Sequence, residues 1–440
     1  MKSANLWLFA LVCAVASSTV ISDDKTGFES MLGVPPTRDS QVTMKNYRDF
    51  PASRWAFRNI GAPLNVVMIP REGQIIELEG PSQPELGVFK VPDLQGNMVG
   101  LDALFKANYT DGLVIVKGDK LLHESYFNGF SEHAQHIWFS MSKSLASAAF
   151  GLLVAEGKAD LSASPADYIP ELVGSGFERV TIQHVLDHAT SLDFHETYTN
   201  LDSDFARYYG PALNLGWAPG AEDIQPETAE IYGVHDFLGR FIKPDLKRTP
   251  GDNFDYNSTN ADVLGWLIAR LSGQSFQDYV QQNIWAKLGA EHDAYIAVDR
   301  AYMPVVTGGM NSTTRDAARF GMMIRDRGAF NGQQVVPAEW LDATLEVTEL
   351  LQRNMAENIK YQEESWQAYH NMWWILDASA GEYCAVGIHG QVIYINRQAD
   401  TVMAWFSSQP GASAAKNVNF REKLNAARKL AESLTEKPTQ

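Results

Sequence analysis

A serine and a lysine stand three residues apart at the start of an apolar, alanine-rich segment. The segment HIWFSMSKSLASAAFGLLVAEGK runs from His136 to Lys158 and contains Ser140 and Lys143. Residues i and i+3 of a helix share a face, so the hydroxyl and the amine can come within hydrogen-bonding distance. If burial lowers the pKa of Lys143, its neutral amine can take the proton of Ser140 near neutral pH, which makes the hydroxyl a nucleophile. The helix N-terminus would offer backbone N–H groups to a developing oxyanion.

Taken alone, this pair also fits the ordinary polar start of a helix, because serine is a preferred N-cap and first-turn residue. A second candidate is Tyr256, which lies with Asn257 and Ser258 in a loop just before a capped helix. A tyrosine hydroxyl with a pKa of about 10 is a poor base, but an adjacent ammonium favours its phenolate. Tyr256 therefore requires Lys143 as a neighbour. In the alternative, it is a half-buried aromatic residue whose hydroxyl caps a backbone group.

The third feature is the sequence GIHGQ, from Gly387 to Gln391, which leads into a predicted strand. Glycines allow the backbone there to approach a substrate closely. An N–H group of this strand can complete an oxyanion hole with the N–H of Ser140. A bulge or tight turn is the structural alternative, and it is compatible with the catalytic one.

The composition excludes several classes of partner. The chain has 440 residues, of which 45% are hydrophobic, and a formal net charge of −17. Nucleic-acid binders need a positive field, and no cluster of Lys and Arg provides one locally. The length predicts one large domain with an insertion, or two domains in contact.

The first residues have the features of an export signal. One lysine is followed by an apolar stretch from Leu6 to Ala16 and then by small residues, so we expect residues 1–22 to be a cleaved signal peptide. A membrane anchor would need about 20 apolar residues, and Ser17 ends the run early. The expected location is the periplasm or the exterior. Without Cys13 the mature chain retains only Cys384, and it therefore has no internal disulfide.

The rest of the chain is organised into patterns typical of strands and helices. Two antiparallel hairpins are predicted, one around Lys117-Gly118-Asp119 and one around the turn at 396–400. The predicted helices are the segment after Ser140 up to Gly157, VTIQHVLDHATSL, NADVLGWLIARLSGQSFQDYVQQNIWAKLG with a break at Gly273, a segment with Asp316 in its first turn that ends at Gly328, and Phe420 to Leu434. Strands at both ends with helices between them predict an α+β fold, an α/β sandwich whose antiparallel sheet is flanked by helices.

We expect three parts along the chain. After the signal peptide, residues 23–97 are rich in Pro, Gly and mixed charge, which predicts an irregular extension packed on the main domain. Residues 98–440 form that domain, and its mostly helical region covers about residues 161–307.

Ser-x-x-Lys, a polar triplet and a glycine-containing strand motif follow one another in the order found in serine penicillin-binding enzymes. From about Asp111 to Ser408, the chain resembles the serine β-lactamase-like superfamily, in the branch of class C β-lactamases, family VIII carboxylesterases and 6-aminohexanoate-dimer hydrolases. The segments FPASRWAFRN and SLDFHETY, the pair Trp373-Trp374 and GIHGQ are most similar to the aminohexanoate (nylon oligomer) hydrolases. The resemblance implies a β-lactamase/transpeptidase-like fold.

The resemblance also implies residue roles. Ser140 would be the nucleophile, and Lys143 and Tyr256 would be the bases. The N–H of Ile388 would complete the oxyanion hole, with Gln391 as the alternative if the strand is shifted. Substrate contacts are expected from Tyr198, which would close over the substrate amide, and from Trp374, His389 and Asn257.

The chain departs from true β-lactamases at the third motif. It has Ile388-His389-Gly390 or Ala385-Val386-Gly387 where those enzymes have Lys-Thr-Gly. Without that lysine, we expect the carboxylate of a β-lactam to be bound less well. Asp202 and Asp204 could each meet an amine, although solvation at the surface is the favoured interpretation for both.

The expected function is hydrolysis of a small amide or ester through an acyl-enzyme on Ser140, with no metal or other cofactor and no nucleic-acid or membrane partner. The alternatives are a broad carboxylesterase of the family VIII type, and a weak β-lactamase or D-alanyl carboxypeptidase. A non-catalytic ligand-binding protein would be expected to lack Ser140, Lys143 or Tyr256, and all three are present.

Overall fold

A computed structural model describes residues 30–80, 89–198, 200, 202–215, 231–413 and 417–435. The predicted signal peptide lies outside these residues. Within the described parts, no helix combines the length and the apolar character needed to cross a membrane.

The strands of the described residues pair antiparallel, in two sheets and two short ribbons. They are β1 (Val66–Ile69), β2 (Lys90–Pro92), β3 (Met98–Gly100), β4 (Thr110–Lys117), β5 (Lys120–Tyr126), β6 (Gln135–Ile137), β7 (Ala294–Ala297), β8 (Met310–Thr313), β9 (Ala329–Phe330), β10 (Gln333–Gln334), β11 (Ala368–His370), β12 (Trp373–Asp377), β13 (Glu382–Gly387), β14 (Gln391–Asn396) and β15 (Thr401–Ser407).

The α-helices of the same residues surround the sheets. They are α1 (Ala52–Ala56), α2 (Leu101–Ala107), α3 (Ser142–Ala155), α4 (Pro165–Tyr168), α5 (Ile182–Leu186), α6 (Gly210–Ala212), α7 (Gly233–Arg240), α8 (Thr259–Ser272), α9 (Phe276–Asn283), α10 (Thr314–Arg325), α11 (Ala338–Ala343), α12 (Glu349–Glu357) and α13 (Val418–Thr435).

The central sheet has seven strands in the order β11-β12-β13-β14-β15-β4-β5. Successive side chains of a strand point to opposite faces, and β15 shows how both faces are used. Val402, Ala404 and Phe406 belong to the core that contains α3 and α10. Met403 and Trp405 belong to a second core with α2 and α13. The sheet is therefore covered by helices on both faces, and the predicted α+β sandwich is confirmed.

The second sheet has four strands in the order β1-β7-β8-β6, and its edge strand β6 directly precedes the candidate site in the sequence. β1 comes from the N-terminal extension and pairs with β7. The next strand after the β4-β5 hairpin is β6, and the chain passes from it directly toward Ser140 and α3. On its other side α3 packs against α8, which begins just after Tyr256. These neighbours place the serine, the lysine and the tyrosine on elements that touch.

Several local predictions are confirmed. The hairpin at 117–119 is β4-β5, and the one at 396–400 is β14-β15. Gly273 ends α8 in a left-handed conformation, with a φ of 72°. The helix predicted to end at Gly328 already ends at Arg325, because the chain turns there and the Gly328 N–H bonds back to the carbonyl of Met323.

Candidate active site

Ser140 lies in a tight turn between β6 and α3. Residues Phe139–Met141 form a short 3-10 helix that continues directly into α3. Phe139 has a φ of 45°, a left-handed conformation that is costly for a residue other than glycine. The Ser142 hydroxyl donates to the Phe139 carbonyl over 2.7 Å and accepts from the N–H of Met310 over 3.2 Å. Ser142 therefore supports the strained turn that carries Ser140.

Lys143 lies in the first turn of α3, and only 1% of its surface is exposed. Its Nζ is 2.8 Å from Ser140 Oγ and 2.9 Å from the carbonyl oxygen of Thr307. Burial lowers the pKa of the Lys143 ammonium, while the carboxylates of Glu196 and Asp262 act in the opposite direction. A neutral amine can donate to the Thr307 carbonyl and accept the Ser140 proton on its lone pair. The structure thus brings the predicted pair together.

Tyr256 joins this pair from the loop before α8. Its ring centroid lies 5.2 Å from Lys143 Nζ, and its side chain lines the same cavity as Ser140. Burial, followed by the carboxylate of Glu196, raises the pKa of Tyr256 well above its ordinary value. Burial of Tyr256 thus acts against the phenolate that a nearby ammonium would favour. The resting Tyr256 is a neutral phenol, and Lys143 is the group suited to accept the proton of Ser140.

A buried carboxylate stands behind Lys143. Asp262, in the first turn of α8, accepts the N–H of Thr307 over 3.0 Å and the Tyr209 hydroxyl over 2.5 Å. The carbonyl of the same Thr307 accepts from Lys143. Burial raises the pKa of the Asp262 carboxyl, and the hydrogen bond from Tyr209 opposes that rise. When ionised, Asp262 stabilises the ammonium of Lys143 and so opposes the neutral amine.

Replacing Asp262 with asparagine is expected to move the acid limb of the pH–rate profile to lower pH by about one unit. The carboxylate raises the pKa of Lys143, so its removal lets the neutral amine persist in more acidic solution. Asparagine keeps the shape and can still accept from Thr307. The measurement is kcat/KM for a short ester as a function of pH.

Asp316→Asn is the matched control, because it removes a fully buried carboxylate at the start of α10. If Asp262→Asn left the acid limb of the pH–rate profile unchanged, or if both variants shifted it equally, Asp262 would not be the carboxylate that raises the pKa of Lys143.

Glu196 and Tyr198 link the segment after α5 to the catalytic loop. The Tyr198 hydroxyl donates to the Glu196 carboxylate. The same carboxylate accepts from the N–H of Ser258 over 2.7 Å and from its hydroxyl over 2.9 Å. Burial, aided by Glu196, raises the pKa of Tyr198 well above its ordinary value. Tyr198 is therefore a neutral phenol, held beside the loop that contains Tyr256.

His188 fixes the backbone next to Tyr256. Its Nδ1 accepts the N–H of Asn257 over 3.0 Å, and its ring centroid is 4.7 Å from that of Tyr256. Burial, followed by the charge of Lys143, lowers the pKa of His188 well below 6.5. The imidazole is therefore neutral, which leaves Nδ1 free of a proton and able to accept this bond.

The end of β13 approaches the serine turn at Gly387. A Cβ atom on Gly387 would lie 2.3 Å from the carbonyl oxygen of Trp138, which is backbone and cannot yield as a side chain can. Ile388 follows immediately and lines the same cavity as Ser140. The absence of a side chain at Gly387 thus allows the predicted oxyanion strand to lie beside the nucleophile.

The variant Gly387→Ala is expected to lower kcat for ester hydrolysis by about 10²-fold. The new methyl group must push β13 away from the serine turn, and the N–H of Ile388 moves with it. Overpacking of this kind also costs about 1–3 kcal/mol of stability, so kcat is measured well below the melting temperature. Gly100→Ala is the control, since a Cβ there would meet no atom within 4 Å. Full activity in Gly387→Ala would refute the role of this close approach.

An aromatic cavity of about 60 Å³ opens beside the serine. Five residues predicted for the site line it: Ser140, Tyr198, Tyr256, Trp374 and Ile388. Residues that sequence reasoning did not select also line it, among them Tyr361, Glu364, Trp366 and Ser413. The predicted nucleophile, its neighbours and a predicted substrate-contact surface thus face one space.

The sequence model of the beta-lactamase family matches residues 102–428, which is most of the chain. The chain belongs to the beta-lactamase family. It is thus an enzyme of the serine β-lactamase-like superfamily, a superfamily of hydrolases, and the resemblance noted from its motifs is confirmed.

Two relatives match this beta-lactamase-family chain over nearly its whole length. The 6-aminohexanoate-dimer hydrolase of Paenarthrobacter ureafaciens is 28% identical over 381 residues, which are 86% of this chain and 90% of that protein. A solved structure from Bacillus anthracis, provisionally named a 6-aminohexanoate-dimer hydrolase, is also 28% identical and has a TM-score of 0.79. That match covers 92% of this chain and 100% of the other.

A class C β-lactamase shares the fold at lower similarity. Its structure has a TM-score of 0.53 and 15% identity, and the match covers 77% of this chain and 95% of that one. The predicted β-lactamase/transpeptidase-like fold is confirmed.

Two predicted substrate contacts of this beta-lactamase-family chain have buried side chains that are hydrogen-bonded within the protein. Asn257 is buried, its amide nitrogen donates to the carbonyl of Phe194, and its oxygen caps Thr259. His389 is buried between the rings of Phe57 and Phe139, and its Nδ1 bonds the carbonyl of Gln409. Neither side chain lines the cavity. Both residues hold the walls of the site together.

Gln391, the alternative for the oxyanion strand, is also structural. Its side chain donates to the carbonyls of Ile388 and Ser407 over 3.2 and 2.7 Å, and it accepts the N–H of Ser407. Gln391 therefore fixes the turn at Ile388. Of the two candidates, Ile388 is the one that lines the cavity.

Proposed function

We propose that this chain hydrolyses a small amide or ester through an acyl-enzyme on Ser140. The observation that carries the proposal is the 2.8 Å contact between Lys143 Nζ and Ser140 Oγ, with Tyr256 lining the same cavity as this serine. Nucleophile and base side chains within this distance are the signature of covalent catalysis.

In the first step, Ser140 Oγ attacks the substrate carbonyl carbon while its proton passes to the neutral amine of Lys143. The carbonyl oxygen becomes an oxyanion, which the N–H groups of Ser140 and Ile388 stabilise. The bond to the leaving group then breaks. Tyr256, a neutral phenol, donates its proton to the leaving nitrogen or oxygen and is reprotonated from Lys143.

In the second step, water attacks the acyl carbon of the Ser140 ester while its proton passes to the neutral amine of Lys143. The bond from the acyl carbon to Ser140 Oγ then breaks, Tyr256 donates its proton to Oγ and is reprotonated from Lys143, so the acid is released and the enzyme is regenerated. Tyr198, which lines the cavity as a neutral phenol, would contact the substrate amide.

The lining of the cavity and the relatives support a substrate class. No lysine or arginine is among the described residues that line the cavity, so this part of the lining offers no cation to the carboxylate of a β-lactam. Two relatives named as 6-aminohexanoate-dimer hydrolases favour a linear amide. Broad carboxylesterase activity is the second candidate, because an acyl-enzyme accepts the more reactive ester as well.

The test is hydrolysis of a short p-nitrophenyl ester by the wild type and by Ser140→Ala. We expect turnover to fall to background in the variant, since the acyl-enzyme cannot form. Ser147→Ala is the control, because Ser147 is buried on the same helix and its hydroxyl has no hydrogen-bond partner in the described residues. Equal rates in the wild type and Ser140→Ala would refute the proposal. A linear aminohexanoate amide and a chromogenic cephalosporin then separate amidase, esterase and lactamase activity.

We also propose that the protein is exported to the periplasm or the exterior. The single lysine, apolar run and small residues of 1–22 support this location. N-terminal sequencing of the protein from a culture tests it. A mature protein that begins near residue 23 would support export, and an intact N-terminus in the cytoplasm would contradict it.

A further inference from the structure

A lysine of the C-terminal helix is completely buried, although the mechanism does not use it. Lys423 lies on α13, and its exposed fraction is 0%. Burial lowers the pKa of its amine well below the ordinary value, and the carboxylate of Asp111 acts in the opposite direction. Lysine is almost never fully buried unless its polar end is paired. The groups that Lys423 contacts therefore indicate what it does.

The amine of Lys423 joins two segments of backbone that meet beside the site. Its Nζ donates to the carbonyl oxygen of Gly390 over 2.6 Å and to Ser407 Oγ over 2.8 Å. A longer contact of 3.4 Å reaches the carbonyl of Trp405, and Nζ lies 4.5 Å from the centroid of the Trp405 ring. An ammonium has three N–H donors, and a neutral amine still has two. In either protonation state Lys423 can hold Gly390 to the end of β15.

The carbonyl that accepts from Lys423 belongs to the turn Ile388–Gly390, which follows β13. His389 and Gly390 have φ values of 60° and 91°, both in the left-handed region. That region is costly for His389, and a residue stays there only where its surroundings hold it. The N–H of His389 donates to the carbonyl of Ala412 over 2.9 Å. Lys423 adds a bond to the last residue of the same turn.

The turn is thus held at both of its ends. Gly387, just before it, lies so close to the carbonyl oxygen of Trp138 that a Cβ atom would be 2.3 Å from that oxygen. Gly390, at its other end, is bonded to Lys423. Between these points stands Ile388, the residue whose N–H is proposed for the oxyanion hole. Such a donor must lie within about 2.7–3.1 Å of the developing oxyanion, so a small displacement of the turn weakens it.

We propose that Lys423 is a positioning residue for the oxyanion hole: its bond to the Gly390 carbonyl keeps the N–H of Ile388 directed at the substrate carbonyl oxygen. This inference rests on the proposed function, since it needs an oxyanion at that place. Lys423 is not among the described residues that line the cavity, and it acts through the turn rather than on the substrate.

The variant Lys423→Met keeps the length of the side chain and removes its donors. We expect kcat for p-nitrophenyl acetate to fall by about tenfold with KM little changed. This loss is smaller than the roughly 10²–10³-fold loss that follows deletion of an oxyanion donor, because the N–H of Ile388 is displaced and not removed.

A second readout distinguishes positioning from a loss of stability. Each enzyme is given p-nitrophenyl acetate and O-p-nitrophenyl thionoacetate, which share a leaving group but present oxygen or sulfur to the oxyanion hole. Sulfur accepts hydrogen bonds weakly, so the wild type should prefer the oxygen ester. In Lys423→Met the ratio of the two kcat/KM values should fall by about tenfold. Unfolded protein lowers both rates equally, and the ratio is therefore independent of stability.

Arg428→Met is the matched control on the same helix. Arg428 bonds Glu382 over 2.9 and 3.0 Å, at the opposite end of β13 from Gly387, so its loss loosens α13 without changing the turn. This variant should keep the wild-type ratio. Lys423→Gln is the second variant if Lys423→Met does not fold. Its amide remains polar but is one bond too short to reach both Gly390 and Ser407, so the ratio should fall here as well.

A lower ratio in the Lys423 variants, with the wild-type ratio in Arg428→Met, supports the proposal. A wild-type ratio in either Lys423 variant, or an equal fall in Arg428→Met, overturns it. Hydrolysis that depends on Ser140 but keeps its ratio in Lys423→Met would overturn this inference alone. Hydrolysis that persists in Ser140→Ala would overturn the proposed function.

Discussion

Replacement of Lys143 by methionine is expected to reduce kcat for ester hydrolysis by about 10³–10⁴-fold. Lys143 Nζ is 2.8 Å from the Ser140 hydroxyl, and burial lowers the pKa of this amine so that it can accept the hydroxyl proton. Methionine has a similar length and shape but no proton acceptor of comparable strength. Steady-state kinetics with a short p-nitrophenyl ester measure the effect.

Two comparisons distinguish a catalytic role of Lys143 from a purely structural one. Lys143→Arg should be as inactive as Lys143→Met, because a guanidinium stays protonated in proteins and cannot act as a base. Thermal unfolding of Lys143→Met should show little loss of stability, or a gain, because the variant no longer buries an amine that is 1% exposed. A variant that keeps more than about one tenth of the wild-type kcat would contradict the assignment of Lys143 as the base.

Tyr256→Phe is expected to reduce kcat for amides by about 10²–10⁴-fold and to reduce it less for p-nitrophenyl esters. The ring keeps its stacking on Trp374 and its contact with His188, while the phenol hydroxyl is lost. Burial keeps this phenol protonated, so it serves as a proton donor to the leaving group. A leaving amine needs that proton, whereas p-nitrophenolate departs without it.

The informative quantity in Tyr256→Phe is the ratio between the loss of kcat for the amide and the loss of kcat for the p-nitrophenyl ester. Tyr369→Phe provides the control, because Tyr369 contacts the rings of Tyr256 and Trp374 but does not line the cavity. It should leave both activities close to those of the wild type. If amide and activated ester lost the same factor in Tyr256→Phe, the hydroxyl would not be acting on the leaving group.

The proximity of Ser140, Lys143 and Tyr256, the proposed catalytic trio, could be predicted from the sequence because each residue is tied to a local pattern. Ser140 and Lys143 share a helix face, and Tyr256 precedes a helix cap. The protonation state of Tyr256 could not be predicted, because it depends on how deeply the folded chain buries the ring and on Glu196. That carboxylate reaches the site through its bond to Ser258, a contact that no local pattern encodes.

The hydrogen bonds and packing of the predicted substrate contacts could not be predicted, for a related reason. Asn257 lies beside the catalytic tyrosine in sequence, yet its side chain turns back to cap Thr259, as short amides commonly do before a helix. His389 is covered by Phe57, which comes from the distant N-terminal extension. Glu364 and Trp366 precede β11 in a segment with no recognisable motif, and only the pairing of β11 with β12 brings them beside Trp374.

The central claim, that Ser140 forms the acyl-enzyme, is tested most directly by covalent capture. The full-length protein is mixed with a p-nitrophenyl ester, quenched in acid within the first turnovers and examined by intact mass and peptide mapping, with Ser140→Ala in parallel. The mechanism predicts one acyl group per chain, on the peptide that contains Ser140, and no adduct in the variant. An acyl group on another residue, or one that also forms in Ser140→Ala, would contradict it.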